Sequence, residues 1–345
     1  MANRLGGLAG LALALGLVPA HGQSAPPSRP WLDPALLAAA KAEGGPLTVY
    51  SSTNEQEGFP LFKIFEDATG IKVQYVRAAD SVLTSRMTIE FRADQKSYDI
   101  VHMTTINKLP PQMLAQYEPP EAKNISANAR DPNRRWYGVY ANYNTPAYNT
   151  QKVKASELPK SYEEFAQRKE WAGRVAIDGT DNEWLKALLV HYGEQKGTQI
   201  ARALASNLNP VLTNGHLALA RATGAGEYLL TLNNYTNLTL NVRLGGAPID
   251  FFALDPVALF FGQVGVNAKA PNPNAARLYL EWQLSEEGQI YSIKQHGNLT
   301  SLKVPPLLPA GMTKDTKVWV PKFAEFEALY GKWIEEWNKV YGYRQ

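Results

Sequence analysis

Cysteine is absent from the 345 residues, which removes disulfides, thiolate nucleophiles and cysteine metal sites together. An excess of charge of either sign is missing too. Lys and Arg number 35 against 32 Asp and Glu, for a formal charge of +3. Such a balance supplies no concentrated basic face, so no nucleic-acid partner is expected. Histidine is scarce, at five residues. Apart from His21 these are His102, His191, His216 and His296, which include no pair at i, i+4, so an HExxH zinc site is excluded. The chain holds no GxSxG elbow and no GxxxxGK[ST] loop, so the common hydrolase and nucleotide signatures are missing. After the N-terminus no apolar run reaches the length of a membrane span, and no fixed-period repeat occurs.

What is present describes a globular protein. Hydrophobic residues make up 45% and charged residues 19%, and the length suits two domains. The N-terminus reads as a secretory signal over residues 1–22. Arg4 supplies the positive charge, Leu5 to Val18 is a Leu/Ala/Gly/Val run, and Pro19 breaks it. Ala20-His21-Gly22 then offers small residues for cleavage after Gly22. No cysteine follows for lipid attachment, so export to the periplasm is expected. Asp33 and Pro34 read as N-cap and first residue of a helix that ends at Gly44-Gly45.

The most informative stretch is Leu47 to Arg77. Leu47, Val49 and Tyr50 form a short run of β-formers, and Ser51-Ser52-Thr53-Asn54 crowd polar groups where the chain turns. A helical pattern follows with Phe59, Phe62, Ile64 and Phe65, stopped by Gly70. Ile71, Val73, Tyr75 and Val76 make the next strand. A strand–helix–strand unit implies a parallel sheet. Ligands of such sheets bind past the carboxyl ends of strands, at helix N-termini. Ser51 to Asn54 occupy that place, and their oxygens also suit helix capping.

The pattern recurs. Tyr98 to Met103 reads as a strand, followed by Thr104-Thr105 and a helix around Pro110 to Gln116. Trp136 to Asn144 is aromatic and extended and is expected to pass between lobes. Arg174 to Ile177 reads as a strand, Asp178 to Asn182 as a second polar turn, and Trp184 to Tyr192 and Gln199 to Asn207 as helices. Asn214-Gly215 starts a helix over His216 to Thr223, closed by Gly224. Glu227 to Leu232 reads as a strand ending in Asn233-Asn234-Tyr235-Thr236, and Val257 to Val266 as a second crossing strand. Near the end, Phe323, Phe326, Tyr330, Trp333, Trp337 and Tyr341 recur at steps of three and four. That spacing predicts an amphipathic helix packed on a lobe.

From about Leu47 to about Leu302 the chain resembles the extracellular solute-binding proteins of ABC transporters, on the branch described as ferric-iron binding. The resemblance rests on LTVYSSTN at Leu47–Asn54, GRVAID at Gly173–Asp178, GEYLLTLNNY at Gly226–Tyr235, and KAPNPN at Lys269–Asn274 with LSEEGQ at Leu284–Gln289. It implies the type II periplasmic binding fold: an α/β protein of two lobes, joined by two crossing hinge strands, that closes on a ligand. Lobe 1 is expected over 23–140 and 257–302, lobe 2 over 141–256, and a C-terminal helical segment over 303–345. Iron-binding members have a histidine in the first strand-to-helix loop and two adjacent tyrosines after the strand ending in NN. Here those places hold Asn54, and Tyr235 followed by Thr236.

The expected ligand-binding residues are Ser51, Ser52, Thr53, Asn54, Thr104, Thr105, Thr180, Asp181, Asn182, Asn214, Asn233 and Tyr235. Most are neutral hydrogen-bonding groups, which suit an organic or phosphorylated anion at helix N-termini. Tyr235 is the one expected metal ligand. Ferric iron prefers phenolate, carboxylate and imidazole to amide oxygen, so iron stays open as the ligand chiefly with a synergistic anion. No cofactor is expected. The expected partners are this small ligand and a membrane permease, and the protein is expected to be a monomer. An exported hydrolase or lyase on the same fold is the alternative, disfavoured because no nucleophile–base constellation stands out.

Overall fold

The computed structural model describes residues 28–179, 181–296, 312, 315–320 and 323–342. The signal segment and Thr180 lie outside them. Met1–Pro30 and Trp31–Gln345 are separate units, and every described helix and strand belongs to the second.

The strands are β1 (Leu47–Ser51), β2 (Val73–Arg77), β3 (Ile100–Met103), β4 (Trp136–Asn144), β5 (Ala147–Asn149), β6 (Val175–Asp178), β7 (Val211–Thr213), β8 (Leu230–Thr231), β9 (Ile249–Phe251), β10 (Val257–Val266) and β11 (Val318–Trp319). The α-helices are α1 (Pro34–Ala42), α2 (Glu55–Thr69), α3 (Asp80–Arg92), α4 (Tyr162–Gln167), α5 (Asn182–Tyr192), α6 (Glu194–Leu208), α7 (His216–Ala225), α8 (Thr236–Leu244), α9 (Pro273–Leu284), α10 (Glu286–His296) and α11 (Phe323–Tyr341). The strands form two sheets. The first runs β11-β10-β3-β1-β2, with β4 also on β10; the second runs β7-β6-β8-β5-β9. The β1–α2–β2 unit is parallel as expected, with Leu47 opposite Val73 and Ser51 opposite Arg77. β3 lies parallel on the other side of β1.

The chain crosses between sheets on β4 and β10. They pair antiparallel from Trp136 opposite Gly265 to Asn144 opposite Ala258, with an irregularity at Gly262/Gln263. Both strands are buried along their whole length, which accounts for their aromatic and β-branched composition. Cores lie on both sides of this crossing. One gathers Phe62, Phe65, Tyr279 and Trp282 around the first sheet; another gathers Tyr162, Phe165, Trp184 and Leu204 around the second.

Local chemistry sets the ends of these elements. Asp33 Oδ1 accepts the Leu36 N–H at 2.7 Å and caps α1. Gly70, at φ 74°, ends α2. The KAPNPN stretch is structural: the Asn272 N–H donates to buried Asp99 at 2.6 Å, and the Asn274 N–H to Glu43 at 2.8 Å, tying α9 to α1 and β3. The face expected on α11 packs against the second lobe where its side chains are described. Trp337 meets Trp184 edge-on at 6.4 Å, and Tyr341 joins the same cluster. Phe323, Phe326, Tyr330 and Trp333 fall outside the described side chains.

Three expectations change. The segment 110–116 is not an α-helix but short 3-10 turns at Ile106–Lys108 and Pro111–Met113; Leu114 is extended, and the Ala115 N–H donates to the Val266 carbonyl of β10 at 2.8 Å instead of continuing a helix. α7 ends at Gly226, whose φ is 82°, rather than at Gly224. Thr236–Leu244, read as no element, is the helix α8.

A candidate ligand site at the strand ends of both lobes

In the first lobe the β1–α2 turn is wound on itself. The Ser51 hydroxyl is buried and accepts the Thr53 N–H at 3.1 Å. The Ser52 N–H donates to the His102 carbonyl at 3.2 Å. Asn54 is the N-cap residue of α2, yet its side chain makes no cap hydrogen bond. Its Oδ1 accepts from Arg77 at 3.2 Å. The capping role open to this turn is therefore not used by its side chains. At the end of β3, Thr104 and Thr105 are half-buried and point their hydroxyls at one acceptor, Asp80 Oδ2, at 2.8 Å and 2.7 Å. Asp80 opens α3, where a carboxylate is favoured by the helix dipole.

In the second lobe the residues gather around His216, the first residue of α7. Its Nε2 lies 3.2 Å from Asp181 Oδ2, and its Nδ1 lies 3.2 Å from Asn234 Oδ1. Its ring stacks on Tyr235 with centroids 3.9 Å apart and planes 25° from parallel. Asn144 and Asn233 donate to the same Asp181 oxygen. Burial alone would depress the imidazolium, but Asp181 and Asp178 outweigh it and raise His216 to about 9. Burial pushes the Asp181 carboxyl up while His216 pulls it back. Two amide donors converge on that oxygen, and the charges of Asp181 and Asp178 favour the imidazolium form of His216 beside it.

Tyr235 is the N-cap residue of α8 and forms a backbone bridge with Asn144 on the crossing strand. Burial first, then the charges of Asp181, Glu183, Asp178 and Asp80, hold its phenol well above the ordinary value. It stays protonated and has a hydroxyl proton to donate. One face is covered by His216, and the Phe260 ring sits 5.7 Å away, so the phenol offers its hydroxyl rather than a stacking face. The Asn182 Oδ1 and Thr236 Oγ1 atoms, on the first residues of α5 and α8, are buried without a partner among the described residues.

Two polar contacts bring the lobes together here. Lys108, on the 3-10 turn after β3, meets Glu183 in the first turn of α5 at 2.9 Å. Glu57, in the first turn of α2, accepts from Asn237 at 3.0 Å and Asn241 at 3.3 Å, both on α8. Burial pushes Glu57 up to about 6, opposed by its amide donors Asn237, Asn54 and Asn241. The N-terminal turns of α2, α5 and α8 thus face one region.

Of the residues expected from sequence, Asp181, Asn182 and Tyr235 come together around His216, and Ser51 to Asn54 with Thr104 and Thr105 line the opposing turns. Asn233 is turned inward: its Oδ1 accepts the Asp178 N–H at 2.8 Å, and it is fully buried. Asn214 is exposed on the turn before α7, and Thr180 lies outside the described residues. Sequence reasoning missed His216, Asp80, Lys108, Glu183 and Glu57. Only His216 had a signal, since it opens a helix directly after the Asn214-Gly215 turn. A cavity of about 480 Å³ beside Lys160, Tyr192 and Asp255 includes none of these residues. Among the described residues no group of His, Asp and Glu side chains is arranged to hold a metal ion, and no helix is long and apolar enough to cross a membrane.

Known proteins share this architecture. Iron uptake protein A1 of Synechocystis sp. is 26% identical over 294 residues, covering 79% of this chain and 80% of its own. The Fe(3+)-binding periplasmic protein of Serratia marcescens is 24% identical over 264 residues, covering 73% and 77%. Among solved structures, AfuA of Actinobacillus pleuropneumoniae with fructose-6-phosphate bound has a TM-score of 0.73 at 19% identity, covering 87% of this chain and 99% of that one. Iron-bound HitA of Pseudomonas aeruginosa has a TM-score of 0.71 at 22% identity, covering 86% and 99%. These structures share the two-lobe periplasmic binding fold. A family model for bacterial extracellular solute-binding proteins matches residues 103–327, and the chain belongs to that family.

Proposed function

We propose that this protein captures a small organic or phosphorylated anion between its lobes in the periplasm and delivers it to an ABC permease in the membrane. The observation that carries this reading is the placement of Tyr235, stacked on His216 where α5 and α8 begin, with the buried Asn182 and Thr236 oxygens beside it. A protonated phenol and helix N-termini facing one region favour an oxyanion. The ligand-binding residues are then Ser52, Thr53, Asn54, Asn182 and Tyr235, with Thr236 at the mouth of α8, while Thr104 and Thr105 turn their hydroxyl protons to Asp80 and His216 turns its ring nitrogens to Asp181 and Asn234, so that these three shape the site from behind. Ser51, Asp181 and Asn233 act behind them by holding the turns. The family match to solute-binding proteins makes binding rather than catalysis the reading.

Ferric iron is the second reading, favoured by the names of the relatives from Synechocystis and Serratia. The donor set here fits it poorly as a bare ion. Asn54 and Thr236 are neutral, the Tyr235 phenol keeps its proton, and the nearby carboxylates of Asp181 and Asp80 already serve His216 and the two threonines. Iron would need a chelating anion to supply the missing charge. Calorimetric titration with inorganic phosphate and with ferric citrate separates the readings. Heat with phosphate alone supports the anion; heat only with the iron complex, with a phenolate-to-iron colour, would overturn it.

A further inference from the structure

A cavity of about 580 Å³ opens beside this cleft. Asn54, Gln56 and Glu57 from the start of α2 form one wall. Leu217, Ala225, Leu238 and Val242 from α7 and α8 form an aliphatic wall opposite. The cavity adjoins the anion site. Asn54 belongs to both, Leu217 follows His216 directly, and Asn241 and Asn237 of α8 hold Glu57. Its charges are one-sided in effect. Glu57 is engaged by amide donors, whereas Arg221, which also lines the cavity, makes no ion pair among the described residues.

We propose that this cavity receives the uncharged, partly aliphatic body of the ligand, so that the cargo is an amphipathic organic anion rather than an inorganic oxyanion or a bare metal ion. This rests on the anion-binding function proposed for the cleft. The volume is that of an ordinary small-molecule site, which is mostly apolar with a few placed polar groups. A single oxyanion fills only a small part of it. The aliphatic wall gains by excluding water, at about fourfold in affinity per methylene buried.

The test uses the mature protein freed of co-purified ligand. Calorimetry measures binding of inorganic phosphate and of methyl, propyl and pentyl phosphate, with acetate to hexanoate in parallel. Ala225→Trp and Gln56→Trp, at exposed positions on the cavity rim, fill the space without touching the His216 cluster. The expected result is affinity that rises with chain length in one of the series. That rise should be lost in both variants, while the shortest anion binds as in the wild type. Binding that is independent of chain length, or a rise that persists in both variants, overturns the cavity proposal and leaves the anion site standing. Absence of binding by every member of both series overturns the anion reading and the cavity proposal together.

Discussion

The rings of His216 and Tyr235 lie face to face, 3.9 Å apart at their centroids, and the Nε2 of His216 reaches Asp181 at 3.2 Å. One side chain thus links the N-caps of α5 and α8 and places a positive charge between them. The stability of the second lobe should follow the protonation of this imidazole. Its value in the folded protein is raised to about 9 from 6.5. Its stabilising contribution is therefore complete below pH 6.5 and lost as pH rises through 9. Urea unfolding at pH 6 and pH 9.5 should show a loss on the order of 3 kcal/mol in the wild type that His216→Gln does not show. Equal pH dependence in the two proteins would contradict the ion pair.

Tyr235→Phe keeps the ring on His216 and removes only the hydroxyl. Affinity for the co-purified ligand should fall by about 1 to 3 kcal/mol, the usual cost of leaving a buried partner unpaired. The unfolding midpoint should barely move. Wild-type affinity in this variant would make Tyr235 part of the scaffold.

Glu57 joins the lobes through Asn237 and Asn241. Its pKa is raised from 4.5 to about 6, so the folded state holds this proton more tightly than the unfolded chain. The contribution is fully present below pH 4.5 and is lost as pH rises through 6. Glu57→Gln keeps an oxygen for both amides and removes the buried charge. At pH 7 it should be more stable than wild type by about 2 kcal/mol, with the two proteins converging near pH 4.5. A variant less stable than wild type at pH 7 would show that the ionised form is needed.

Tyr140 and Gly262 face each other across the two crossing strands. A Cβ at Gly262 would overlap the Tyr140 ring itself, not the tip of a flexible chain. Gly262→Ala should therefore cost about 1 to 3 kcal/mol in chemical denaturation, as overpacking does. Tyr140→Phe in the same background should give no relief, because the overlap is with ring carbons. Full stability of Gly262→Ala would mean the strands can part at this point without cost.

Much of this architecture is legible in the sequence because it is written in residue types. Leu47–Ser51 and Val257–Val266 announce themselves as buried strands by their β-formers, and Asp33, Pro34 and Gly70 mark helix ends by capping chemistry. α8 is hidden because Thr236, Asn237, Thr239 and Asn241 favour turns and caps as much as helices, and the helix is fixed by packing on its neighbours. β7 and β11 are short edge strands, of three and two residues, with too little pattern to read. At the site, Tyr235, Asp181 and Asn182 are visible from their place after strands. Asp80, Lys108, Glu183 and Glu57 are not, since charges at helix ends usually face solvent; Asp80 finds its partners only when β3 brings Thr104 and Thr105 beside α3, and Lys108, Glu183 and Glu57 only when the lobes approach.

Native mass spectrometry with metal analysis, on protein taken from the periplasm without refolding, tests the central claim most directly. The account predicts an added mass of one organic anion per chain and iron far below one equivalent. One equivalent of iron with no organic anion, in a visibly coloured protein, would contradict it.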